Sequence, residues 1–76
     1  MDKQLKWAAK TLLDLCNIPA SPTYLKAFEQ HQSNERWIKS VIRKAEPMTG
    51  SMTNGLYVKA VDICKDHGIN VNPYTD

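Results

Sequence analysis

Apolar residues recur along this chain at the three- and four-residue spacing that is typical of amphipathic helices. No stretch of useful length shows the alternating pattern that would indicate a half-buried strand. The spacing predicts four short helices, over about 3–16, 22–31, 34–46 and 54–67. The first has the widest apolar side, formed by Leu5, Ala8, Ala9, Leu12, Leu13 and Cys16 and widened by Trp7, Leu15 and Ile18.

Residues that favour the start or the end of a helix separate these four segments. Serine and threonine stabilise a helix N-terminus, and proline is favoured at its first turn. Asparagine and glycine tolerate the left-handed conformation that commonly follows the last turn, and proline prevents a helix from continuing. The start signals are Ser21, Pro22, Ser33 and Thr53, and the end signals are Asn17, Pro19, Pro47 and Gly68.

Four short helices with short connections predict an all-α fold, a compact irregular or orthogonal bundle. We expect one domain over 1–76, with a short extended C-terminal tail at 70–76 that Val71 and Tyr74 hold against the surface. Several apolar residues outside the first helix are expected in the core or at its edge. They are Tyr24, Leu25, Phe28, Trp37, Met48, Met52, Leu56 and Tyr57.

The positive charge of the chain is concentrated in the third predicted helix. The whole chain of 76 residues has a net charge of +2. The third helix alone carries four cations against two carboxylates, which also gives +2, so the remainder is neutral. These six residues are Arg36, Lys39, Arg43 and Lys44, and Glu35 and Glu46. Glu35 stands four residues before Lys39, a spacing that favours an exposed ion pair.

A basic side of this third helix is the best candidate site. Arg36, Lys39, Ser40 and Arg43 recur at i, i+3, i+4 and i+7, and Lys44 adds a further cation. A helix fits the major groove of DNA, and lysine and arginine neutralise phosphates. The second helix, a turn of two to four residues and the third helix resemble a helix-turn-helix in layout.

Two features argue against a true helix-turn-helix. The turn contains no glycine, and Gln32 and Ser40 are polar where such a unit usually has apolar residues. In favour, Ala27 supplies a small residue at the crossing, and Trp37 is expected to fill the wedge between the two helices. The plain alternative is that the basic side is only a solvated helix surface.

Two functions follow as hypotheses. The first is a small regulator, monomeric or homodimeric, that binds DNA through the third helix. The second is an inhibitor or adaptor that binds an acidic protein surface, with apolar contacts from Trp7 or from the loop between Met48 and Met52. Trp7 is otherwise a core residue, since a small domain needs its large apolar side chains.

Catalysis and cofactors are not expected. The chain has no phosphate-binding loop, no dinucleotide-binding glycine motif and no paired CxxC spacing. Cys64-x-x-His67 supplies at most half of a zinc site, because Cys16 and His31 do not provide a matching second pair. We therefore predict no enzyme activity, no metal or other cofactor and no small-molecule substrate.

The cysteines and the hydropathy favour a cytoplasmic protein. Cys16 and Cys64 are expected to be reduced core thiols, with a disulfide between them as the lesser alternative. No apolar segment resembles a signal peptide or approaches the length of a membrane span. We therefore expect a cytoplasmic location and no membrane partner.

Overall fold

The computed structural model describes residues 2–72, which form four α-helices and no strand. The helices are α1 (Lys3–Leu15), α2 (Pro22–Glu29), α3 (Glu35–Ala45) and α4 (Asn54–Asp66). Short 3-10 turns, His31–Ser33 and Glu46–Met48, follow α2 and α3. The predicted all-α bundle is confirmed. Of the expected tail, 70–72 has no regular secondary structure, and Tyr74 lies outside the described residues.

α1 is the central helix, and α2, α3 and α4 all pack against it. Its apolar side is buried because five residues at helical spacing face the other three helices. α4 packs chiefly against α1, with few contacts to α3. The buried residues of α1 are Leu5, Ala8, Ala9, Leu12 and Leu13, and those of the other segments include Phe28, Ile38, Val41, Ile42, Ala45, Ala60, Cys64 and Ile69.

The ends of α1 and α4 have the predicted geometry. Asn17 adopts φ 57° and Gly68 adopts φ 83°, so both occupy the left-handed region. The amide of Ile18 donates to the carbonyl of Leu13 at 2.9 Å, and the amide of Ile69 donates to that of Cys64 at 3.1 Å. Each bond satisfies a carbonyl that the helix end would otherwise leave unpaired.

Of the three predicted N-terminal caps, Ser21 is confirmed, Ser33 is wrong, and Thr53 occupies the predicted N-cap position of α4 without making a capping bond. Ser21 accepts a hydrogen bond from the amide of Tyr24 at 3.4 Å, as expected. Ser33 instead lies in the 3-10 turn, and its amide donates to the carbonyl of Gln30 at 3.2 Å. The hydroxyl of Thr53 accepts from the amide of Gly50 at 2.7 Å, and so it closes the preceding turn rather than capping α4.

Three residues expected at the core or its edge are exposed. Met48 is 56 %, Met52 is 91 % and Leu56 is 46 % exposed. Leu56 lies on the same side of α4 as the buried Ala60 and Cys64, but it is in the first turn of the helix, where the core no longer covers that side. The predicted burial of these three residues is therefore wrong. Across residues 2–72, no helix is long and apolar enough to cross a membrane.

The contrast between Leu12 and Leu56 gives a test of where the core lies. Leu12 is fully buried in α1. Leu12→Ala should lower the free energy of unfolding by about 3 kcal/mol, since it removes apolar contacts and leaves a cavity. Leu56→Ala, the matched change at an exposed site, should cost less than about 1 kcal/mol. Urea denaturation followed by circular dichroism measures both, and equal losses would contradict this core.

Asp2 caps α1 and links its start to the end of α4. One carboxylate oxygen accepts from the amide of Gln4 at 2.8 Å and from that of Leu5 at 3.2 Å. Nε2 of His67 lies 3.6 Å from the same oxygen. The bonds from Leu5 and Gln4, with a smaller effect from His67, lower the pKa of the Asp2 carboxyl below its ordinary value.

This lowered pKa predicts a pH-dependent contribution to stability. The ionised cap stabilises the fold fully above about pH 4, the ordinary pKa of aspartate, and the contribution disappears as the pH falls through the lower folded-state pKa. Asp2→Asn keeps a capping oxygen but cannot ionise. The wild type should therefore melt above Asp2→Asn at pH 7, and the difference should shrink towards pH 2. Thermal melts of both proteins across this range test the prediction, and a constant difference would contradict it.

Candidate nucleic-acid interface

One side of α3 faces the core and the opposite side faces solvent. Ile38, Val41, Ile42 and Ala45 are buried against the rest of the bundle. Because α4 packs chiefly against α1, no helix of residues 2–72 covers the opposite side. We define this outer surface of α3 by the exposed side chains of Arg36, Arg43 and Lys44 and the half-buried side chain of Ser40.

Lys39 does not belong to the outer surface of α3. It is only 6 % exposed, and its ammonium lies 3.4 Å from the carboxylate of Glu35. Lys39 follows buried Ile38 and precedes buried Ile42 by three residues, so helical geometry directs its side chain along the flank of the core. The predicted pair with Glu35 is confirmed, but the prediction that Lys39 faces solvent is wrong.

Ser40 is polar in the middle of α3 because its own helix satisfies its hydroxyl. The Oγ atom donates to the carbonyl of Trp37 at 2.9 Å. Serine commonly bonds a carbonyl of the preceding turn in this way, which makes a half-buried position tolerable. The sequence pattern correctly placed Ser40 beside Arg36 and Arg43, but it could not show this bond.

Both carboxylates of the α3 region are engaged on its flank. Glu35 pairs with Lys39, and Glu46 accepts from the hydroxyl of Tyr57 at 3.4 Å. The charges of Lys39 and Glu35 cancel each other. Arg36, Arg43 and Lys44 then stand against the single negative charge of Glu46, which leaves a net charge of +2. Neither Arg36 nor Lys44 forms an ion pair within the part of the chain that is described. The outer surface of α3 is therefore basic.

Aromatic rings join α2 to α3, as the sequence predicted for Trp37. The ring of Trp37 stacks on Tyr24 with centroids 5.5 Å apart and planes 12° apart. It also meets the edge of the buried Phe28 ring at 5.5 Å and 74°. Tyr24 itself is 37 % exposed, so its expected place in the core is wrong. The Trp37 ring therefore fills the space between α2 and α3.

The connection from α2 to α3 comprises residues 30–34, which makes it longer than the predicted turn of two to four residues. The side-chain amide of Asn34 donates to the carbonyl of Gln30 at 2.9 Å and closes this turn without glycine. Gln32 and Ser33 are exposed beside it. A shallow depression here is lined by Gln32, Ser33, Asn34, Glu35, Arg36 and Trp37.

Trp7 packs partly against the core and is covered on one face. It is half-buried, and the ammonium of Lys59 on α4 lies 5.2 Å from its ring centroid. This cation–π contact is worth about 0.5–1 kcal/mol at an exposed site. The contact ties α4 to α1 and makes a structural role the simpler explanation for this tryptophan.

The two cysteines are unpaired thiols whose pKa values are raised by burial. Both are free, and within residues 2–72 no three His, Cys, Asp or Glu side chains are placed to hold a metal ion. Burial raises the pKa of the Cys64 thiol to about 11. Burial also raises the pKa of Cys16, although the charge of Lys44 opposes the shift, and Cys16 Sγ donates to the carbonyl of Val41 at 3.3 Å.

No protein-family model, curated protein or solved structure matches this chain. What the outer surface of α3 can bind must therefore be inferred from its shape and charge. Arginine and lysine on an exposed helix attract phosphates and carboxylates alike. The exposed amide of Gln32 and hydroxyl of Ser33 can add hydrogen bonds at the N-terminal end of the same helix.

The placement of Lys39 leads to a stability prediction. Lys39→Met keeps the aliphatic part of the side chain in its buried position, and it leaves Glu35, whose side chain is 45 % exposed, in contact with water. Because replacing a buried ion by an apolar group is often neutral, we expect a change within about 1 kcal/mol. Lys39→Asp should be far more damaging, as it buries a carboxylate beside Glu35. Urea denaturation compares the two, and similar losses would contradict the observed burial.

Proposed function

We propose that this protein is a small non-enzymatic regulator that binds DNA through the outer surface of α3. The observation that carries the proposal is the position of the exposed Arg36, Arg43 and Lys44 on a side of α3 that no helix of residues 2–72 covers, while the carboxylates of Glu35 and Glu46 contact Lys39 and Tyr57. Phosphate contacts supply most of the affinity in non-specific binding. Three cations at this spacing suit the phosphates that border a groove.

The arrangement of α2 and α3 supports the same proposal. Trp37 and Phe28 fix the two helices against each other, and the turn brings Gln32 and Ser33 to the N-terminal end of α3. In helix-turn-helix proteins that end of the recognition helix contacts base edges. Glutamine and serine are among the side chains that bond bases there. The five-residue connection and the absence of glycine depart from the usual turn.

Substitution of the cations tests the proposal. Arg36→Ala and Arg43→Ala should each weaken binding to duplex DNA, and each should reduce the slope of log K against log salt by about 0.9. Lys65→Ala is the matched control, because Lys65 is an exposed cation on α4. Fluorescence anisotropy with a labelled duplex at several salt concentrations measures these slopes.

The alternative is an inhibitor or adaptor whose basic surface meets an acidic protein. The exposed side chains of Met48, Met52 and Leu56 favour it, because apolar surface of this kind often marks a protein contact. Absence of any duplex affinity at about 50 mM salt would refute the DNA proposal, since low salt favours phosphate contacts. Recovery of a protein partner from nuclease-treated lysate by the wild type, but not by Arg36→Ala, would then support the alternative.

A further inference from the structure

The ring of Tyr24 is an exposed aromatic surface that duplex binding does not use. It lies on α2 with one face stacked on Trp37, and it remains 37 % exposed. Trp37 is in turn held by Phe28, which is fully buried. The orientation of the Tyr24 ring is therefore set by two aromatic side chains that reach into the core.

Cations lie beside this aromatic pair. Trp37, Ser40 and Lys44 follow one another at i, i+3 and i+7, which places them along one flank of α3. Arg36 lines the same shallow depression as Trp37. Because Tyr24 stacks on Trp37, its ring lies next to a residue that borders the outer surface of α3.

We propose that the Tyr24–Trp37 pair stacks an unpaired base of a nucleic acid while Arg36 and Lys44 contact the adjoining phosphates. Aromatic rings bind any base, since every base has a π-face, and cations beside them follow the sugar–phosphate chain. A closed duplex does not present base faces along its length. The inference rests on the proposed function and narrows the ligand to nucleic acid with an unpaired segment.

The shape of the surface favours a nucleotide over an apolar peptide. A peptide side chain is usually bound in a pocket with walls, whereas Tyr24 and Trp37 offer a flat stacked pair. A nucleotide combines a planar ring with a negative charge, and this combination matches an aromatic surface bordered by Arg36 and Lys44.

The test compares a labelled single strand of twelve thymidines with a labelled blunt-ended duplex that has no loop or overhang. Tyr24→Leu removes the ring, Tyr24→Phe keeps it, and Met52→Ala is a control at another exposed apolar residue. Tyr24→Leu should weaken binding of the single strand by about 5- to 100-fold, as expected for loss of one stacked base. Its affinity for the duplex should change less than about two-fold. Tyr24→Phe and Met52→Ala should bind both ligands like the wild type.

A second measurement does not depend on removing Tyr24. In Trp7→Phe the only tryptophan is Trp37, and its fluorescence should be quenched on addition of the single strand but not of the duplex. Equal single-strand affinity for Tyr24→Leu and Tyr24→Phe, or unquenched Trp37 in a saturated complex, would overturn the stacking inference and leave duplex binding standing. Failure of the wild type to bind either ligand at about 50 mM salt would overturn the proposed function as well.

Discussion

Burial of the apolar side of α1 is the constraint on which the rest of this structure depends. Five of its residues are buried, and each of the other three helices covers part of that side. A domain of 76 residues has little other apolar surface with which to balance the entropy of folding. The contact of Asp2 with His67 and the contact of Lys59 with Trp7 both join α4 to this helix. Within residues 2–72, no other helix therefore covers the outer surface of α3.

The same packing decides which cations of α3 can reach a ligand. Rotating the helix to bury Ile38 and Ile42 carries Lys39 to the flank of the core, where desolvation of its ammonium is offset by Glu35. The pair removes one cation from the surface but also keeps a carboxylate away from it. Arg36 and Lys44 therefore lie in a more uniformly positive field than the sequence count of charges suggests.

The features that were correctly predicted from the sequence depend on local chemistry. The predictions that failed concern positions where tertiary packing decides between arrangements that the local sequence favours about equally. Helix spacing located all four helices to within a few residues, and asparagine and glycine marked the turns at Asn17 and Gly68 because few other residues adopt that backbone. Ser33 and Asn34 are both good caps, and only the 3-10 turn decides against the serine. Lys39 was misplaced because the apolar pattern does not fix the rotation of a helix to within one neighbouring residue. Leu56 was misplaced because the pattern does not show where along α4 the core ends.

Trp37 connects the interior of the domain to its candidate surface. Its ring meets the buried Phe28 on one side and the exposed Tyr24 on the other. The carbonyl of Trp37 accepts a hydrogen bond from the hydroxyl of Ser40. Ser40, in the middle of the outer surface of α3, is therefore also held by Trp37. A ligand that contacts Tyr24 therefore meets a ring whose position is already set through Trp37 by the core. Such preorganisation lowers the entropy lost on binding, which matters for a surface with few charges.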